Sequence, residues 1–130
     1  MTRLLIVGLG GALGSMARYG VGLVAVRLTP GTTWPWATLS VNVVGGLLMG
    51  LLVGWLSQRG QGGEGLRLFA AVGVLGGFTT FSAFSLETAL MIERRQFGMA
   101  ATYVGLSVAL AVGALIVGLM IARRAFGAPL

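Results

Sequence analysis

The chain contains no cysteine and no histidine, and it is nearly without charge. Lysine and aspartate are missing as well, so nine arginines and three glutamates make up all of its charged residues, 9% of 130. These gaps exclude a good deal. A Ser-His-Asp triad, a thiol nucleophile, the usual zinc ligand sets and a disulfide framework all need residues that are absent. A folded water-soluble surface normally carries about 25% charged residues, and so few charges cannot coat a particle of this size. The net charge of +6 invites a nucleic-acid reading. The arginines, however, stand singly or in pairs between apolar runs, which is the pattern of membrane-flanking charges and not of a phosphate-binding patch.

What fills the chain is apolar. Hydrophobic residues make up 56% of it and the mean hydropathy is +0.94, which describes an integral membrane protein with the lipid bilayer as its solvent. Four runs, at about 4–26, 36–56, 68–92 and 99–122, each approach the roughly 20 residues a helix needs to cross the hydrocarbon layer. The fold class is therefore all-α, one membrane domain of four transmembrane helices spanning 1–130. Trp34, Trp36 and Trp55 bracket the second run at the spacing of interfacial aromatic belts. Pro30-Gly31 and the Gly-rich stretch 58–65 are turn material. The first run is too long for a cleaved signal segment and three more follow it. Twenty-three glycines suit a bilayer, where small residues let helix backbones approach closely; Gly10, Gly14 and the row Gly46, Gly50, Gly54 fit that use.

Four spans place both termini and the second interhelical loop on one side. That side carries Arg3, Arg59, Arg67, Arg123 and Arg124, against Arg27, Arg94 and Arg95 opposite, with Arg18 nearer the second group. Orientation follows the imbalance of Lys and Arg in short loops, and five against three, or five against four, is slight. The chain reads as able to insert both ways. A few helices packed at about 8–10 Å leave no lumen, so a transport path requires a partner. An antiparallel pair of copies would supply the two-fold arrangement that larger transporters build from inverted repeats.

Polar groups inside spans are functional candidates, because burying them in hydrocarbon is costly. Thr38 and Asn42 share a face of the second helix; Ser82 and Ser85, followed by Glu87 and Thr88, mark the third; Tyr103 and Ser107 share a face of the fourth. Phe81 and Phe84 form their own pair on the third. Three helices that each present a polar stripe read as the lining of a narrow path. Gly76-Gly77-Phe78-Thr79-Thr80 predicts a break in the third helix near the midplane, where freed carbonyls suit a bare cation such as Na⁺. Hydroxyls, an amide and the positively polarised edges of phenyl rings suit a small anion. The run LLIVGLGGALG at 4–14 imitates a strand entering a dinucleotide loop, but no second strand or acidic residue follows.

These segments resemble the Fluc (CrcB) family of fluoride channels over nearly the whole chain. Gly10-Gly11-Ala12-Leu13-Gly14 with Arg18-Tyr19 looks like the family's first-helix signature. Thr38-Leu39-Ser40-Val41-Asn42 followed by Gly45 is similar to its second, and residues 76–85 to its most distinctive segment. Ala83 stands where many members carry Thr, and Ala111 where some carry Ser. The resemblance implies a dual-topology antiparallel homodimer in the cell membrane, with two fluoride pores, that exports fluoride passively. It also implies a structural Na⁺ at the dimer interface, held by the backbone carbonyls of Gly76 and Thr79. By motif position the pore would take Asn42, Phe81 and Phe84, with Thr38, Ser82, Ser85, Tyr103 and Ser107 along the polar track. Arg18, Glu87 and Thr88 would serve a vestibule or accessory role. Neither an enzyme activity, nor nucleic acid, nor a soluble protein partner is expected. Two alternatives are a small proton-coupled exporter using Glu87 and a non-conducting assembly subunit.

Overall fold

A computed structural model describes residues 1–127, and among them the secondary structure is helical throughout, without strands. The elements are α1 (Thr2–Leu28), α2 (Trp36–Leu56), a 3₁₀ turn (Gly60–Gly63), α3 (64–78), α4 (Phe81–Glu93) and α5 (Phe97–Phe126). Four helical segments are long and apolar enough to cross a membrane: Thr2–Leu28, Trp36–Leu56, Glu64–Glu93 and Phe97–Phe126. Most run past the apolar stretches read from the sequence, because nothing at Glu64 or Arg123 stops a helix. Termination is local chemistry. At the end of α1, the Thr29 amide and hydroxyl both donate to the Ala25 carbonyl, at 2.9 and 2.7 Å, and Gly31 then turns the chain at φ +77°. Past α4, Gln96 N–H reaches the Met91 carbonyl at 2.8 Å and Arg95 N–H the Ile92 carbonyl at 2.9 Å. Arg95 takes the left-handed φ of 58° that glycine usually supplies in this cap.

The third span departs from regular helix twice. Residues 67–75 are wound as a π-helix, with the Gly76 N–H donating to the Ala71 carbonyl five residues back. The second departure falls within the predicted segment 76–80, at its far end: the backbone stays helical through Gly76, Gly77 and Phe78. Extended dihedrals fall instead on Thr79 (φ −80°, ψ 159°) and Thr80 (φ −151°, ψ 124°). The link is held by threonine side chains and a neighbouring helix, and not by glycine freedom.

Two parallel helix pairs make the bundle: α1 lies along α3, and α2 along α5. Glycines set both contacts. A Cβ at Gly10 or Gly14 would overlap the carbonyls of Phe69 or Val74, and one at Gly77 would sit 2.5 Å from the Gly11 carbonyl. On the other pair, a Cβ at Gly46 would lie 2.6 Å from the Ala111 carbonyl, while Gly50 and Gly118 abut the carbonyls of Leu115 and Leu47. Contact positions rise together along both partners, which makes each pair parallel. The buried apolar cluster of Leu39, Met91, Ala100 and Tyr103 lies where α2 begins, α4 ends and α5 begins. Trp34, just ahead of α2, packs against this cluster and so turns toward the bundle at that end. Trp55 instead lies under the Arg59 guanidinium, 4.1 Å from the ring centre.

Gly118→Leu should break the α2–α5 contact, because its side chain meets backbone that cannot move aside. Overpacking of this kind costs about 1–3 kcal/mol, read as a lower Tm in detergent. Gly8, which has nothing within 4 Å, should accept Leu with little change in the same assay.

Candidate functional site

The site grows from the extended link. In an unbroken helix, Thr80 N–H would donate to Gly76 and Ala83 N–H to Thr79. Here Thr80 N–H donates to Asn42 Oδ1 at 2.8 Å, and Ala83 N–H to Thr80 Oγ1 at 3.1 Å. The carbonyls of Gly76 and Thr79 thus lose their helical donors. Asn42 also donates from Nδ2 to the Thr80 carbonyl at 3.0 Å. This double contact fixes which end of the amide is oxygen and leaves one amide hydrogen for another partner. Thr80 is the residue the sequence reading missed as a site member. It is buried, caps α4, and its hydroxyl lies 3.3 Å from that of Ser82. A Thr three residues ahead of a backbone amide at a helix start is a recognisable N-cap signal.

A second polar knot lies about two helical turns along α4. The Thr38 hydroxyl donates to Glu87 Oε1 and the Tyr103 hydroxyl to Glu87 Oε2, both at 2.6 Å. One carboxyl thereby ties α2, α4 and α5 together. The Tyr103 ring packs 5.2 Å from Phe84 and meets Trp34 edge-on at 5.5 Å. Phe84 in turn lies 5.5 Å from Phe81, so an aromatic chain connects the knot to the link.

A cavity of about 390 Å³ opens beside the link. Asn42, Thr79, Thr80, Phe81, Phe84 and Ser107 contribute to its wall. Ser107 is buried, and its hydroxyl has no hydrogen-bond partner among the described residues. Phe81 is 79% exposed, so one face of the cavity is open in the single chain. Ser82, Ser85 and Thr88 stand outside this wall. The hydroxyls of Ser85 and Thr88 donate to the carbonyls of Phe81 and Phe84, one turn back, at 2.8 Å each. Arg18 borders a different cavity of about 380 Å³, together with Tyr19, Thr38 and Thr80. Thr80 lies between the two.

The donor set around the link fits a small hard cation, because carbonyl oxygens without their helical donors are neutral hard ligands. Carbonyl oxygens of this kind replace the hydration shell of an alkali ion.

The family model for CrcB-like protein, Camphor Resistance (CrcB), matches residues 5–119. The chain belongs to the CrcB family. A relative from Caulobacter sp. (strain K31) is 60% identical over 127 residues, covering 97% of this chain and 98% of that protein. One from Phenylobacterium zucineum (strain HLK1) is 59% identical over 128 residues, covering 97% and 99%. Another, from Hyphomonas neptunium (strain ATCC 15444), is 55% identical over 127 residues, covering 97% and 99%. All three relatives bear the name Fluoride-specific ion channel FluC. With its four apolar spans, this CrcB-family chain is a multi-pass membrane protein.

Removing either hydroxyl from the Glu87 knot should destabilise the bundle. Hydrogen bonds to a carboxylate contribute about 1.5–3 kcal/mol each, so Thr38→Val and Tyr103→Phe should each lower Tm. A double-mutant cycle should show coupling between them, and additive losses would mean the two bonds act separately.

Proposed function

We propose that this protein is a fluoride-selective channel through which F⁻ leaves the cell passively across the cell membrane. The name its relatives carry supports the choice of anion. The observation in the chain itself that carries the reading is the Ser107 hydroxyl. A buried hydroxyl without a partner is costly, and this one faces a cavity where Asn42 and Thr80 hold each other and the Thr79 hydroxyl donates to the Leu75 carbonyl.

Fluoride is small and strongly hydrated, so conduction needs donors that replace its water without trapping it. The remaining amide hydrogen of Asn42 and the Ser107 hydroxyl are such donors. The edges of Phe81 and Phe84 supply weaker positive polarisation between them. The Thr38–Glu87–Tyr103 knot closes one end of the track and holds the Tyr103 ring against Phe84. Both Glu87 oxygens are engaged, an arrangement that suits a structural anchor better than an exchanging proton carrier. Ser82 and Ser85, on the exposed face of α4, and Arg18 at its own cavity would complete the route toward the two membrane surfaces.

The open face at Phe81 is where a second, oppositely inserted copy would close the path, giving an antiparallel homodimer with two pores. In that assembly the interrupted third spans lie near the midplane, and the Gly76 and Thr79 carbonyls of both copies would hold Na⁺. The ion, when bound, supplies a fixed positive charge that joins the copies and is not itself transported.

Fluoride efflux from proteoliposomes, followed with a fluoride electrode and with chloride as the control, tests the reading. Fluoride should leave and chloride should stay. Phe81→Ile and Phe84→Ile should cut fluoride efflux at least tenfold without dissociating the dimer, and equal leakage of both halides would overturn the proposal. Fluoride driven uphill by a pH gradient, and lost in Glu87→Gln, would point to a proton-coupled exporter.

A further inference from the structure

We infer that Asn42 is a positioning residue for the cation cradle as well as an anion donor, so that one side chain joins the two ion sites. The inference rests on the channel reading above, and it concerns how the chain keeps its third span open. Three observations carry it. Asn42 reaches across from α2 and meets both backbone groups of Thr80, accepting at 2.8 Å and donating at 3.0 Å. Thr80 is buried, at 8% exposure, so water cannot take over its N–H. The acceptor that this N–H would otherwise find is the Gly76 carbonyl, one of the oxygens that the link leaves without a helical donor.

The consequence follows from the geometry of helices. Thr79 N–H still donates to Leu75 at 3.0 Å, so the helix is intact up to that residue. The next helical bond, from Thr80 to Gly76, is the one Asn42 replaces. Remove the Asn42 oxygen and a buried amide has one nearby remedy, which is to rewind the link and bond Gly76. Rewinding withdraws the carbonyl from the cradle. In an apolar surrounding the pressure to do so is strong, because backbone groups there must be satisfied within the protein. The amide nitrogen has the complementary duty. One of its hydrogens holds the Thr80 carbonyl, and the other is left for the cavity that Asn42 borders. Neither an aliphatic side chain nor a hydroxyl supplies an acceptor and two donors in this arrangement.

The two duties separate by substitution. Asn42→Leu removes acceptor and donors. Asn42→Asp keeps an oxygen for Thr80 N–H and loses both amide hydrogens. The assay is Tm of the full chain in detergent, in NaCl and in N-methyl-D-glucamine chloride at equal ionic strength, with Na⁺ alone as the probe. Fluoride efflux is measured on the same preparations. Wild type should be raised in Tm by Na⁺. Asn42→Leu should lose that shift together with efflux, whereas Asn42→Asp should keep the shift and lose efflux. A full Na⁺ shift in Asn42→Leu, or its loss in Asn42→Asp, would overturn the inference. Absence of the shift in wild type would overturn it too, while intact fluoride efflux in that same sample would leave the channel reading standing. If Asn42→Leu does not fold, amide hydrogen exchange at Thr80 in the wild-type protein decides. Slow exchange supports the bracket, and exchange as fast as in an unstructured chain refutes it.

Discussion

A backbone amide in hydrocarbon has no water to turn to, and the third span interrupts its own hydrogen bonding at Thr79 and Thr80. The span is tolerated because side chains take over the backbone groups of Thr80 and the amide of Ala83. Asn42 takes both backbone groups of Thr80, and the Thr80 hydroxyl takes the Ala83 amide. The rest of the site follows from that exchange. Each replacement frees a carbonyl, opens the chain beside the cavity, and sets the start of α4 so that Phe81 and Phe84 come next in line.

Close packing makes the exchange possible. Asn42 can reach Thr80 only if α2 lies tight against the third span, and Gly45 provides the room, since a Cβ there would overlap the Thr79 methyl. Glycine also brings α1 against α3 and α2 against α5 by letting backbone meet backbone. In a bilayer this contact replaces the hydrophobic drive that would hold helices together in water. The Glu87 knot adds direction: it ties three helices at one end and leaves the Phe81 face uncovered. A single chain is thus well joined along its helix pairs and incomplete on the side where an ion path would run.

Much of this was legible beforehand, for identifiable reasons. The four apolar spans are visible because a bilayer demands long charge-free runs, and the glycine rows because close helix contact recurs at a spacing of four. Thr38, Asn42, Tyr103 and Ser107 stood out because polar residues in such runs are rare. Less visible was the division of labour among them. Nothing in the order of residues says that Thr38 and Tyr103 meet on one carboxyl, that Ser85 and Thr88 turn back onto their own helix, or that Trp34 faces inward. Within the predicted segment 76–80 the extended residues are the two threonines and not the adjacent glycines, since glycine only permits a break, whereas a side-chain partner makes one stable.

Composition and periodicity by themselves determined that the chain is all-helical, how many times it can cross a membrane, and which few polar residues lie within the spans. These follow from solvation and from the helical repeat, both local properties. Tertiary structure alone decided which carbonyls are released, which hydroxyl remains without a partner and where Asn42 directs its amide. Those outcomes depend on groups 38 residues apart in sequence, as Asn42 and Thr80 are, coming within hydrogen-bond distance, and a linear pattern of residue types contains no distances.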